Sequence, residues 1–196
     1  MSIMDFRYLF KTIKNIIVNT EPEWDVVVNE KRTSGFITMN LLLPLIILAS
    51  LSAYLGSFLF IDTGLNQAYA VLSGLRYLIH FLVVIFLTAV LLKEALKRYG
   101  ADPGFENAFK ITALSSVPLL LCQIISRLFE SFIFVNVLAV FGIYICWAGI
   151  DRLTDLPKKK KYQLLLIATA LFIAVWLITN RLLKFAADEI YYSFFA

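Results

Sequence analysis

Long apolar stretches without Asp, Glu, Lys or Arg dominate this sequence. Five of them cover residues 33–61, 77–92, 111–126, 131–150 and 162–180. A helix needs about 20 apolar residues to cross a hydrocarbon core of about 30 Å, and each stretch is long enough or nearly so. Basic residues flank the two shortest stretches, and their aliphatic stems can extend a span while their charges stay in water. The pattern therefore predicts five membrane spans.

The apolar runs also predict the type of backbone structure. In lipid, backbone groups must be paired within a helix or within a closed barrel. Barrel strands alternate apolar and polar residues, whereas these runs are continuously apolar. We therefore expect an all-α fold, an integral membrane bundle of five transmembrane helices.

An amphipathic helix is predicted ahead of the first span. Its apolar residues recur at helical spacing, and Arg7, Lys11 and Lys14 occupy other directions. Such a helix can lie in the headgroup region, or its apolar face can pack beneath the bundle, and the two are compatible. The chain thus divides into a cytosolic amphipathic segment (1–32), a five-helix membrane domain (33–180) and an outer interfacial tail (181–196). The apolar positions of the helix are Phe6, Leu9, Phe10, Ile13, Ile16 and Ile17.

Positive charge falls on alternate connections, which predicts the orientation. Fourteen of the 18 basic residues lie in the N-terminal segment, the second loop with its flanks and the fourth loop. We expect this side to be cytoplasmic, with the N-terminus inside and the C-terminus outside a cell (inner) membrane. The fourteen are Arg7, Lys11, Lys14, Lys31, Arg32, Lys93, Lys97, Arg98, Lys110, Arg152, Lys158, Lys159, Lys160 and Lys161.

Composition narrows the class of function. The chain of 196 residues is 60% hydrophobic with a mean hydropathy of +0.80, so little remains for a separate soluble domain. Its net charge of +4 comes from the side expected to be cytoplasmic, which indicates anionic membrane lipids as partners rather than nucleic acid.

Residues suited to chemistry are scarce. The absence of Asp, Glu, Lys and Arg from the five runs argues against an ion-coupled transporter. The single histidine excludes a histidine metal cluster, and the topology separates Cys122 from Cys146 in depth. We find no catalytic triad, phosphate loop or paired carboxylates, so no catalytic, cofactor or metal site is predicted and an enzyme is not expected.

Polar residues in the outer half of the bundle form the first candidate site. His80, Gln123 and Asn136 lie roughly 6 to 9 Å below the outer surface at ~1.5 Å per residue, and Arg76 lies one turn from His80. They could line a shallow pocket of a small passive channel or transporter. Alternatively, they hydrogen-bond between helices, as polar residues in membrane bundles commonly do.

A basic inner face is the second candidate site, for lipid or for a protein partner. It comprises Arg7, Lys11 and Lys14 of the first helix, Trp24, and the run Lys158, Lys159, Lys160 and Lys161. An indole just before a span can anchor at the interface with its N–H hydrated. Changing the four consecutive lysines to glutamine should weaken association with anionic lipid.

Several short motifs together resemble the Yip1 family, particularly its small bacterial members. They are Glu21-Pro22-Glu23-Trp24-Asp25 ahead of the first span, Pro44 within it, Tyr99-Gly100 in the second loop, Ser115-Ser116-Val117-Pro118 in the third span, and Phe141-Gly142-Ile143-Tyr144 with Trp147 in the fourth. The resemblance covers most of the chain and implies five spans with a cytosolic N-terminal segment.

The resemblance says less about activity. Eukaryotic members combine a cytosolic region and an Asp-Leu-Tyr-Gly-Pro motif with vesicle traffic and binding to Rab-type GTPases. This sequence has no such motif, so GTPase binding is not carried over. The expected function is a membrane-organising or adaptor role, with membrane lipids and a membrane or cytosolic protein as partners.

Overall fold

The computed structural model describes residues 6–30, 32–60, 67–101 and 104–194. Lys31, named above, lies outside these ranges. Within them the chain is all helical, and five of its helices are long and apolar enough to cross a membrane. This confirms the predicted fold class. These candidate spans are Ser34–Phe60, Gln67–Arg98, Gly104–Leu128, Ser131–Leu153 and Lys158–Phe194.

Nine α-helices occupy the described residues, and two irregular segments interrupt the spans. A π-helical segment, Thr38–Leu42, lies in the first span, and a 3₁₀ segment, Glu130–Val140, opens the fourth. The α-helices are α1 (Phe6–Val18), α2 (Thr20–Asn29), α3 (Ser34–Ile37), α4 (Leu43–Phe60), α5 (Gln67–Arg98), α6 (Gly104–Ser115), α7 (Val117–Leu128), α8 (Phe141–Leu153) and α9 (Lys158–Phe194).

Two prolines explain irregular points in the spans. Pro44 has no N–H to donate to the carbonyl four residues earlier. Just before it, the backbone widens to π spacing, and Leu43 N–H donates to the Thr38 carbonyl. Pro118 occupies the first turn of α7, where a missing N–H costs little, and the third span breaks at Ser116. The two prolines therefore coincide with points where the first and third spans become irregular.

The last helix is longer than the fifth apolar run predicts. α9 has 37 residues, which corresponds to about 55 Å at ~1.5 Å per residue, well beyond a hydrocarbon core of about 30 Å. Residues 181–194 continue the helix without a break. Near its end Tyr191 packs edge-on against Tyr69 of α5, with ring centroids 5.4 Å apart. Most of the predicted tail is therefore a continuation of the helix that forms the fifth candidate span.

Helix packing centres on α5, whose main neighbours are α4, α9 and α6. Glycines allow two further close approaches. A Cβ at Gly56 would collide with the backbone carbonyl of Arg127, and one at Gly142 with that of Ser115. The first contact brings α4 close to α7. The second contact fastens α8 to α6 at the middle of the bundle.

The N-terminal helices gather at one end of the bundle. α2 packs against α8, and α1 packs on α2 and on the π-helical segment. The loops after α5 and after α8 reach the same end, because Lys160 Nζ donates to the Tyr99 carbonyl at 3.2 Å. We call this the basic end. It brings together the three segments that carry fourteen of the basic residues.

Candidate functional site

Trp24 attaches the N-terminal helices to the bundle. Its side chain is fully buried, and its indole N–H donates to the Ile145 carbonyl of α8 at 3.1 Å. Gly149, one turn further along α8, leaves room for the ring, since a Cβ there would lie 2.5 Å from the indole. The expected hydrated interfacial position of Trp24 is therefore wrong, because the α8 backbone takes the place of water as hydrogen-bond acceptor.

Charged residues on either side of Trp24 strengthen the attachment. Arg152 Nε donates to Asp25 Oδ1 at 2.8 Å, and its NH2 group donates to Glu21 Oε2 at 3.1 Å. Arg152 thus bridges two carboxylates of α2 from α8. These contacts are about one-third exposed on the Arg152 side, so each adds little to stability but helps to fix the register of α2.

Glu23, on the opposite face of α2, is buried and paired. Its carboxylate accepts from Asn15 Nδ2 at 2.9 Å and lies 3.6 Å from Arg32 NH1. The Arg32 guanidinium also lies over the Tyr8 ring at 4.7 Å. Burial opposes the charge of Arg32, but Tyr8 and Glu30 outweigh it and raise the pKa. Every charged residue of the Glu21-to-Asp25 motif therefore has a partner in the fold.

α1 presents two different apolar surfaces. Leu9, Thr12 and Ile16 are buried against the protein, whereas Phe6 and Phe10 are 56% and 68% exposed. At 100° per residue, the exposed phenylalanines lie on one edge of the apolar arc. Lys11 and Lys14, together with Arg7, follow on the neighbouring arc and are also exposed. One face of α1 is therefore buried against the protein, and the adjacent face is exposed.

The four consecutive lysines divide into two pairs. Lys161 Nζ is 2.7 Å from Asp151 Oδ1, and Lys160 binds the Tyr99 carbonyl. Lys158, Lys159 and Lys160 are all exposed, and of these three Lys160 alone has a described contact within the fold. A test of lipid contact at this face therefore has to leave Lys160 and Lys161 unchanged.

Two of the four polar residues of the first candidate site, Gln123 and Asn136, pair with one another. Gln123 Nε2 donates to Asn136 Oδ1 at 3.0 Å, and Ser126 donates to the same oxygen at 3.3 Å. Arg127 Nε donates to Gln123 Oε1 at 3.1 Å, and Asn136 Nδ2 donates to the Ile133 carbonyl at 2.9 Å. The network joins α7 to the 3₁₀ segment. Its geometry is that of polar residues holding two helices together.

His80 lies outside this network. It is 2% exposed, and among the described residues neither ring nitrogen has a hydrogen-bond partner. Its ring packs against Trp176 of α9, with centroids 4.3 Å apart, and against Phe81. Tyr77 lies between His80 and the Gln123–Asn136 network. The guanidinium carbons of Arg76 and Arg127 lie 4.8 and 4.7 Å from its ring centroid. The structure therefore separates His80 from the Gln123–Asn136 pair.

α2 and its contacts with α8 were not predicted from the sequence. A local signal existed, since Pro22 and two acidic residues in the first turn after Asn19 are typical of a helix start. The pairing of Arg152 with Glu21 and Asp25 had no such signal, because it joins residues more than 120 positions apart. Its sequence neighbour Asp151 is also close to Arg152, at 3.6 Å.

Within the described residues, no group of three or more His, Cys, Asp or Glu side chains could hold a metal ion. Cys122 and Cys146 are both buried and free. No cofactor-binding constellation emerges from the contacts above. The features that stand out are a charged, Trp24-anchored end and a bundle of apolar helices.

The five spans and this anchored end define a multi-pass membrane protein. The model of the Yip1 domain matches residues 15–179, from within α1 to within α9, so the chain belongs to the Yip1 domain family. Proteins of this family are generally non-enzymatic membrane and trafficking proteins. No curated protein and no solved structure shows significant similarity to the chain.

Proposed function

We propose that the protein organises the membrane surface by holding an amphipathic helix, α1, against anionic lipid. The observation that carries this proposal is the pair of exposed phenylalanines, Phe6 and Phe10, beside the exposed Lys11 and Lys14 on a helix that is fixed to the bundle. Aromatic side chains insert at the headgroup boundary, and lysines next to them attract anionic lipid by about 1 kcal/mol each.

The attachment through α2 gives this helix a defined position. Leu9, Thr12 and Ile16 bury one side of α1, and the Trp24 contact fastens the following helix to α8. An isolated amphipathic helix must order itself when it binds a membrane, whereas a packed one has already lost that entropy. The arrangement therefore favours a permanent contact between α1 and the lipid surface.

The proposal includes an orientation and a location. Lys97, Arg98, Lys158 and Lys159 are exposed at the same end as α1. Such an excess of positive charge favours the cytoplasmic side of a membrane. We place the N-terminus inside and the C-terminus outside a cytoplasmic (inner) membrane, as in a small bacterial member of the family.

Nanodiscs that contain a mixture of neutral and anionic phospholipid provide the direct test. The variant Lys11→Gln/Lys14→Gln/Lys158→Gln/Lys159→Gln removes four exposed charges without touching the paired Lys160 and Lys161. We expect less anionic lipid to co-purify with it, and the difference should shrink at high salt. The matched control is Arg181→Gln/Lys184→Gln, which removes exposed charges near the other end of α9.

Equal anionic-lipid enrichment in the wild-type and quadruple-variant proteins would contradict the lipid proposal. The adaptor role makes a separate prediction, namely that a specific protein co-purifies with the wild type from native membranes and is lost when the basic end is changed. The alternative of a passive channel lined by His80, Gln123, Asn136 and Arg76 predicts flux in liposomes that changes in His80→Ala. No described contact joins His80 to the other members of that set as a polar path.

A further inference from the structure

A cavity of about 220 Å³ lies in the middle of the bundle, between the second, third, fourth and fifth spans. Its wall includes Thr88 of α5, Ser115 of α6, Cys146 of α8 and Phe172 of α9. Small residues, Ala139, Gly142, Ala168 and Thr169, form much of the side between the fourth and fifth spans. The cavity is separate from the basic end and from the Gln123–Asn136 network.

Helix packing explains why this space is left open. The glycine contact at Gly142 holds α8 against the Ser115 carbonyl of α6. The 3₁₀ segment that precedes α8 has α7 and α8 as its main neighbours, and α9 is not among them. α9 in turn packs mainly on α5. The fourth and fifth spans therefore diverge above their contact near the basic end.

The opening faces the surroundings of the bundle through apolar side chains. Val140 and Ile143 lie on one side of it and Ile173 on the other, and they are 63%, 38% and 53% exposed. All three belong to candidate spans, so hydrocarbon surrounds them in a membrane. A molecule that enters between the fourth and fifth spans therefore comes from the lipid.

The chemistry of the wall excludes water as a good occupant. The hydroxyls of Thr112 and Ser115 donate to carbonyls of their own helix, those of Ala108 and Ile111, at 3.0 and 2.6 Å. A buried water needs two to four polar partners, whereas an apolar cavity of about 150 Å³ stays dry and accepts an apolar guest. Thr88 Oγ1 is a fully buried atom of a wall residue and has no partner among the described residues.

We propose that the hydrocarbon chain of a membrane lipid enters this cavity sideways between the fourth and fifth spans. The chain covers apolar wall surface that would otherwise lack contact, which is favourable at the level of about 0.8 kcal/mol for each buried methylene group. This site is independent of the anionic surface proposed above. It binds the chain of a lipid, whereas the basic end binds the charge of a headgroup.

Photocrosslinking in nanodiscs tests the proposal. The probe is a phospholipid with a diazirine on one acyl chain, reconstituted with the full-length protein. Bulk lipid reaches all outward-facing residues, so the informative positions are Ser115 and Cys146 inside the cavity. Cys146 is only 8% exposed. We expect labelled peptides that contain these residues, identified by mass spectrometry.

Filling variants with matched controls separate the cavity from general lipid contact. Ala139→Phe fills the cavity from the 3₁₀ segment, and Val137→Phe adds a ring to the same segment at a position that is 71% exposed. Thr169→Phe and its exposed neighbour Ala170→Phe form the corresponding pair on α9. A ring that displaces about two methylene groups should lower labelling of Cys146 about tenfold. Labelling should be unchanged in the controls and in the quadruple lysine variant.

Two results would overturn the proposal. Absence of label at Ser115 and Cys146 in the wild type overturns the proposal, whether the cavity is empty or is covered by a second copy of the chain. Equal labelling of Cys146 in both filled variants and in their controls overturns it as well. Size-exclusion profiles and thermal unfolding identify a variant that has lost its fold. The second filling position then supplies the answer.

Discussion

Trp24 shows how much structure can depend on a single side chain at the membrane boundary. Its ring fills the space above Gly149, and its N–H binds a carbonyl of α8, so one residue links the N-terminal helices to the fourth span. From the sequence, an indole before a span predicted an interfacial anchor. The same properties, a large apolar body and one donor, also suit a buried contact, and local sequence does not distinguish the two.

Replacing Trp24 provides a graded test of this contact. Trp24→Phe keeps most of the ring but removes the donor to Ile145, so we expect a loss of about 1 kcal/mol in the free energy of unfolding. Trp24→Ala also leaves a cavity and should cost about 3–5 kcal/mol. Denaturant titration in detergent micelles measures both values. Trp147→Phe is the control, since Trp147 stacks on Tyr162 at 4.6 Å and that stacking survives in phenylalanine. Equal losses at positions 24 and 147 would contradict the special role of Trp24.

Apolar replacement of His80 and of Asn136 should shift the thermal unfolding temperature differently. Its ring nitrogens are buried without a described partner, which costs about 1–3 kcal/mol for such a group. His80→Phe keeps the aromatic contact with Trp176 and removes that cost, so we expect an unchanged or higher thermal unfolding temperature. Asn136→Leu, which leaves Gln123 and Ser126 without their acceptor, should lower that temperature.

The same variant bears on the passive-channel alternative. If His80 lines a path, His80→Phe changes solute or ion flux in liposomes while the protein stays folded. If it is a packing residue, the variant changes stability alone. A clear loss of stability in His80→Phe would show instead that the imidazole has a partner in the membrane environment.

At the scale of helices, the sequence correctly predicted five long apolar helices. It predicted the irregular segments within them less completely. All five spans occur, because an uninterrupted apolar run has few alternatives in a membrane. Two irregular points coincide with Pro44 and Pro118, because a missing N–H acts locally. The 3₁₀ form of Glu130–Val140 was not predicted. It depends on how the third and fourth spans pack, and an apolar run contains no such information.

The same limit applies to the candidate sites. The charge of the four lysines predicted a basic surface. Only the fold shows that Lys160 and Lys161 contact other parts of the protein, whereas Lys158 and Lys159 are exposed without a described contact. Depth along each span placed Gln123 level with Asn136, and they are indeed paired. Depth gave no information on direction around the helix axis, which is why His80 was grouped with them.

Glycine substitutions test the packing of the first span directly. A Cβ at Gly56 collides with the Arg127 carbonyl, which cannot move without shifting α7. We expect Gly56→Ala to destabilise the protein by about 1–3 kcal/mol, as other overpacked sites do. Gly35→Ala, in the short helix of the same span, meets nothing within 4 Å. It should gain about 0.5–1 kcal/mol from helix propensity. Thermal unfolding of the two variants in the same detergent gives the comparison, and equal shifts would contradict the close contact.

For the whole molecule, the structure adds a reason for the charge asymmetry that is independent of counting. Lys160 binds the loop after α5, and Arg152 binds α2, so the N-terminal segment and two loops form one connected surface. The basic residues therefore occupy a single end because the fold brings their segments together. Whichever side of the membrane holds one of these segments holds all of them.

Accessibility of single cysteines determines which side that is. In a background with the buried Cys122 and Cys146 changed to alanine, Lys159→Cys reports on the basic end and Lys184→Cys on the opposite part of α9. Both lysines are exposed in the structure. The excess of positive charge predicts that the basic end is cytoplasmic. A membrane-impermeant maleimide added to intact cells should therefore label position 184 and not position 159, and opening the cells should make both reactive.

The reverse pattern would overturn the orientation while leaving the fold intact. Reaction of both positions in intact cells would contradict the passage of α9 through the membrane, because a crossing helix has its two ends on opposite sides.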